Sequence, residues 1–225
     1  MEIKVCGMTN LDQLHQLQEL EIKFAGFIFY PPSPRHVLKY GLTGSEVKRA
    51  RFKFAKVGVF VDESYDEIMR QIDDFGLDMV QLHGHETPFE CSKISNYIDV
   101  IKAFRFAEND HVRWMIKDYY EATNMFLFDT GIYPKKNDSD IRTIYTSADR
   151  KFSWKKLMGL DIGRSFFLSG GIEPSDIGQI KEFLKDPVSK DLFVIDINSR
   201  FEISSGIKDM EKIKTFVSEL KQLGR

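Results

Sequence analysis

Short apolar runs alternate with longer amphipathic stretches along the whole chain. Residues 3–6, 25–30, 54–61, 79–82, 100–104, 124–128, 165–169 and 192–197 are brief and rich in Val, Ile and Phe, and they read as strands. Between them the apolar positions recur at helical spacing. Leu11, Leu14, Leu17 and Leu20 follow a cap at Thr9 or Asn10, and a helix spans about 44–52. Ser64 with Glu67 three residues on predicts a capping box, and Pro88 sits near the start of a helix over 86–95. Further helices are predicted over 110–120, over 154–160 and after Pro174, where Ile177, Ile180 and Leu184 form a stripe. The last spans 208–223, with Met210, Ile213, Phe216, Val217 and Leu220 on one face.

Eight strands and eight helices in strict alternation predict βαβ units and a parallel sheet. With 225 residues each unit has about 28, which suits one closed (β/α)8 TIM barrel over residues 1–225. An open doubly wound sheet fits less well: it needs no eighth unit, and only Gly7 stands where a glycine-rich turn would follow the first strand. The stretch 130–152 breaks the rhythm. It is polar, too long for an ordinary connection, and carries at most a helical turn at Ile141, Ile144 and Tyr145.

Composition narrows the function classes. The formal net charge of −2 argues against a chain-wide basic surface for nucleic acid. No run approaches the 18 or so apolar residues of a membrane span, and the start lacks the pattern of a secretory signal. A cytoplasmic protein is expected. Two cysteines, Cys6 and Cys91, are too few for a disulfide scaffold and are expected to be free thiols.

In such a barrel the chemistry lies at the C-terminal ends of the strands. The polar residues there are Cys6, Arg35, Gln81, His83, Asp129, Ser169 with Gly170-Gly171, Asp196 and Ser199. With period two, Cys6 shares a strand face with Lys4, and Gln81 with His83. Inward-pointing faces would bring a thiol, an imidazole and two carboxylates to one mouth. Each also has a structural reading: a cysteine as a small hydrophobe, a carboxylate as a cap, Arg35 as a solvated loop residue. His83-Gly84-His85 lacks a third ligand at recognisable spacing, so no metal is expected.

Together the segments around these residues resemble the phosphoribosylanthranilate isomerase family of tryptophan biosynthesis. The matching runs are KVCGMT at 4–9, GFIFYPPSPR at 26–35, VGVFV at 57–61, VQLHG at 80–84, VIKA at 100–103, LFDT at 127–130, LSGGI at 168–172 and DINS at 196–199. They lie in order, one per strand. The resemblance implies a ribulose-phosphate-binding type of barrel and an Amadori rearrangement of N-(5-phosphoribosyl)anthranilate, with no cofactor or metal. It implies Asp129 as general acid and Cys6 as general base, whose thiolate Lys4 would favour. It also implies Arg35 at the anthranilate carboxylate, Gly170, Gly171 and Ser199 at the phosphate, Asp196 near the ribose hydroxyls, and Gln81 and His83 lining the pocket. The partner is thus a small phosphorylated substrate, and a barrel this compact is viable as a monomer, with a dimer open.

Two runs depart from the family. The usual glycine-rich stretch and Phe-Asp-Trp is here Thr146-Ser147-Ala148-Asp149-Arg150-Lys151-Phe152-Ser153-Trp154, and the usual Ser-Ser-Gly is Asn198-Ser199-Arg200. Arg200 would be an added phosphate contact. The lost glycines motivate an alternative: a barrel that binds a phosphorylated sugar without catalysis or with another substrate.

Overall fold

The computed structural model describes residues 1–106, 110–129 and 154–223. Eight parallel strands close into a barrel in chain order: β1 (Glu2–Val5), β2 (Phe24–Ile28), β3 (Ala55–Phe60), β4 (Met79–Leu82), β5 (Asp99–Arg105), β6 (Met125–Asp129), β7 (Phe166–Ser169) and β8 (Leu192–Ile197). Closure is made by β1 against β8, where Lys4 pairs with Asp196 in register. The barrel and its ribs are those the apolar runs predict.

Among the described residues the α-helices are α1 (Leu11–Glu19), α2 (Gly44–Ala50), α3 (Tyr65–Phe75), α4 (Pro88–Ser95), α5 (Val112–Ile116), α6 (Ile177–Phe183) and α7 (Met210–Leu223). Local chemistry sets their starts. The Asn10 side chain accepts from Gln13 N–H at 3.0 Å and caps α1, while the Thr9 hydroxyl is engaged by the Gly206 carbonyl. Thr87 and Glu90 complete a capping box on α4, with Pro88 in its first turn. The box expected at Ser64 is only half formed. Ser64 accepts from Glu67 N–H, but Arg70 and Gln71 hold the Glu67 carboxylate.

Two departures concern the predicted helices. Over 154–160 the structure has a single 3-10 turn, Trp154–Lys156, in place of a helix. Gly159 and Gly163 take left-handed backbone at φ +72° and +65°, which ends helical propagation, and Trp154 packs edge-on against Phe183. The predicted start of the last helix, at Lys208, is strand instead: β9 (Glu202–Ser204) and β10 (Ile207–Lys208) form a hairpin between β8 and α7. The 130–152 loop, its turn at Ile141, Ile144 and Tyr145, and all of the 146–153 run lie outside the described residues.

Alternation along the strands divides two cores. Outward residues such as Val5, Phe27, Phe60, Leu82, Phe126 and Ile195 pack under the helices. Inward residues Phe24, Val57, Met79, Ile101, Ala103, Leu127, Phe167 and Val194 fill the lower barrel, with Phe24 and Phe167 edge-to-face at 5.5 Å. Burying each large member of this layer is worth about 1.5–3 kcal/mol. One strand period higher, the same faces carry Lys4, Gln81, Asp129 and Asp196, all buried. Among the described residues, no helix is long and apolar enough to cross a membrane.

Candidate active site

The upper layer is held together by charge and directed hydrogen bonds. Lys4 Nζ lies 3.0 Å from both Asp196 oxygens and 2.9 Å from Gln81 Oε1. Gln81 Nε2 is 2.9 Å from His83 Nδ1, and His83 Nε2 is 3.2 Å from Asp129 Oδ2. Four strands, β8, β1, β4 and β6, thus contribute to one continuous chain across the mouth. Burial works against the Lys4 ammonium, but Asp196 and then Cys6 outweigh it and raise its pKa. His83 moves the other way, down to about 4, because burial and then the Arg105 guanidinium disfavour its cation more than Asp129 favours it. The imidazole is therefore neutral at physiological pH.

Cys6 follows β1 on the face of Lys4 and is buried. Its close seat depends on Gly26, where a Cβ would lie 2.8 Å from Cys6 Sγ. The expectation of a lowered thiol pKa is not met. Burial raises it, and the ammonium groups of Lys4 and Lys208 recover only part of the shift. Cys6 therefore rests as the thiol near neutral pH. Both cysteines are free, as the sequence predicts.

Arg35 sits beside the same rim. At Gly7, whose φ is +75°, a Cβ would meet Arg35 Cδ and Asn198 Oδ1 at 2.9 Å. Arg35 donates through Nε and Nη2 to the Glu202 carboxylate at 2.7–2.9 Å. Glu202 also accepts from Lys208 Nζ at 2.7 Å, and Lys208 donates to Asn198 Oδ1 at 2.8 Å. Glu202 and Lys208 were not among the sequence candidates. The turn residues Ser204-Ser205-Gly206 between them were the available signal.

Gly170 and Gly171 take positive φ, +101° and +67°, just beyond β7. Ser199 and Arg200 lie in a 3-10 turn after β8 that buried Phe201 anchors. Arg200 Nε approaches Glu173 Oε2 at 3.9 Å, so the two loops are neighbours. The His83 loop is fixed from behind. Lys102 Nζ donates to Gly84 O at 2.9 Å and to Glu86 Oε2 at 2.8 Å, and Glu86 accepts from the Gly84 and Asp62 N–H groups. No group of three or more His, Cys, Asp or Glu among the described residues is placed to hold a metal ion.

Residues 3–219 match the family model described as N-(5'phosphoribosyl)anthranilate (PRA) isomerase. The chain belongs to the phosphoribosylanthranilate isomerase family. A family member from Parabacteroides distasonis is 32% identical, covering 98% of this chain and 93% of its own. The phosphoribosylanthranilate isomerase of Thermotoga maritima is 29% identical, with a TM-score of 0.76 and 99% of both chains covered. A third structure, 29% identical with a TM-score of 0.70 over 99% of both chains, is a phosphoribosylanthranilate isomerase in complex with reduced 1-(o-carboxyphenylamino)-1-deoxyribulose 5-phosphate. Within the family fold, the thiol, the imidazole and both carboxylates converge on one mouth. Arg35 reaches the same rim, already paired to Glu202.

Proposed function

We propose that this protein isomerises N-(5′-phosphoribosyl)anthranilate to 1-(2-carboxyphenylamino)-1-deoxyribulose 5-phosphate in tryptophan biosynthesis, with Asp129 as general acid and Cys6 as general base. The observation that carries the reading is the presence, in a chain of this family, of a buried thiol just beyond β1 and a buried carboxyl at the end of β6, both at the mouth of one barrel. The Asp129 acid donates its proton to the ring oxygen as the C1′–O bond breaks, and the anthranilate nitrogen lone pair forms the iminium. Cys6, acting as the thiolate from the fraction that has released its proton to water, then removes the proton from C2′, and the C–H pair becomes the C1′–C2′ double bond of an enolamine. Its tautomerisation leaves a methylene at C1′ and a ketone at C2′. One carbon gains the hydrogen the other loses, so the step balances without a co-reactant. Each matched proton transfer is worth roughly 10²–10⁴-fold.

Substrate contacts follow from the same rim. Arg35 offers Nη1, which takes no part in the Glu202 pair, to the anthranilate carboxylate. Backbone N–H groups at Gly170, Gly171 and Ser199, with the Arg200 guanidinium, take the phosphate. Asp196 faces the ribose hydroxyls, and Gln81 and His83 line the pocket. All these groups come from one chain, in keeping with a monomer. A free thiol base suits a reducing compartment such as the cytoplasm.

The test is a substrate panel read by carbon NMR, in which the product shows a C2′ ketone and a C1′ methylene. Conversion of phosphoribosylanthranilate is the expected result. An inert anthranilate compound beside turnover of another aminated aldose phosphate would overturn it.

A further inference from the structure

The upper layer holds more machinery than the two proton-transfer groups, and its hydrogen bonds have a direction. We infer that the chain Lys4–Gln81–His83 fixes His83 as the Nε2–H tautomer, so that the imidazole donates to Asp129 and never accepts its proton. Lys4, Gln81 and His83 are thus positioning residues for the acid. The inference rests on the proposed role of Asp129.

The direction follows from donor and acceptor inventories. An ammonium has only donors, so the Gln81 group 2.9 Å from Lys4 Nζ is the oxygen. That commits the Gln81 amide NH₂ to His83 Nδ1, also at 2.9 Å, and makes Nδ1 the acceptor. A neutral imidazole that accepts at Nδ1 carries its proton on Nε2, which faces Asp129 Oδ2 at 3.2 Å. Lys4 itself is locked by both Asp196 oxygens, so the chain is anchored at its far end. The low pKa of His83 keeps the ring neutral, as the relay requires.

The consequence is chemical. In the opposite tautomer, Nε2 would be an acceptor, and the acid proton of Asp129 would be held in an O–H···N bond to the ring. The acid would then have to break that bond before protonating the substrate. With Nε2–H facing it, Asp129 finds no acceptor in His83. The same donor stabilises the carboxylate left after transfer. An isolated histidine would supply neither bias, because its two tautomers would be free to exchange.

The experiment uses the full chain labelled with ¹⁵N-histidine, whose ring nitrogens report tautomer and charge separately. The His83 signals are assigned by their loss in His83→Gln. Near neutral pH the wild type is expected to show a protonated Nε2 and an unprotonated Nδ1. Gln81→Met, which removes the donor to Nδ1, should show a tautomer mixture. Its kcat should fall by about tenfold or more, part of the roughly 10²–10⁴-fold a positioned acid supplies, with KM within about threefold. His83→Gln keeps an N–H donor near the Nε2 position and should recover part of the kcat that His83→Ala loses. A wild-type His83 protonated on Nδ1, or on both nitrogens, overturns the inference, as does a folded Gln81→Met with unchanged kcat. If Gln81→Met does not fold, the wild-type tautomer and the His83→Gln and His83→Ala pair decide. Absence of turnover by the wild type would count against the role of Asp129, while the ring signals would still decide the tautomer.

Discussion

Inside the barrel, two layers of side chains on the same strand faces differ by one strand period. Below lie Met79, Leu127, Phe167 and Val194; above lie Gln81, Asp129, Ser169 and Asp196. The lower layer gains stability from every atom it buries. The upper layer buries an ammonium and two carboxyl groups, whose desolvation offsets much of their mutual attraction. A layer built for stability would repeat the lower one. On the proposed mechanism the upper layer serves the chemistry at the mouth, and its members hold one another in place because none tolerates burial alone.

Breaking the pairing in the upper layer should have the largest effect. Lys4→Met leaves the Asp196 carboxylate buried without its partner, and unfolding in denaturant should show a loss of about 3–5 kcal/mol. Adding Asp196→Leu should restore most of that stability without restoring turnover. Leu127→Ala, in the lower layer, should cost about 2–5 kcal/mol in the same measurement. There, kcat should stay near the wild-type value. The two variants would then lose similar stability with opposite catalytic outcomes.

The pH dependence sharpens the contrast. His83 has its folded pKa lowered from 6.5 to about 4, so between those values the unfolded chain binds more protons than the folded one. Stability should therefore fall as pH drops from about 6.5 toward 4, by up to about 3 kcal/mol, and His83→Gln should remove this dependence. Activity should rise toward alkaline pH, because burial holds the Cys6 thiol above its ordinary value. Smallest is Gly26→Ala, whose new Cβ presses on Cys6 Sγ. It should cost about 1–3 kcal/mol by overpacking and lower kcat by displacing the thiol.

The strand faces were legible because alternation is a local property. Lys4 with Cys6, and Gln81 with His83, follow from period two alone, and the structure brings all four to the mouth. The β9–β10 hairpin was not legible. Its strands have three and two residues, too short for a period to register, and the stretch runs directly into the amphipathic pattern of α7. Lys208 therefore read as a helix start, although its partners Glu202 and Asn198 bury it. The sign of the Cys6 shift was not legible either, for a related reason. Sequence shows that Lys4 is two residues away, but not that the thiol is closed off from water, and burial decides the sign.

The most direct measurement is steady-state turnover of phosphoribosylanthranilate, followed by loss of its anthranilate fluorescence, for the wild type beside Cys6→Ala and Asp129→Ala. Turnover by the wild type is expected, with kcat lower by roughly 10²–10⁴-fold in each variant and the fold intact. A wild type no faster than the two variants would contradict it.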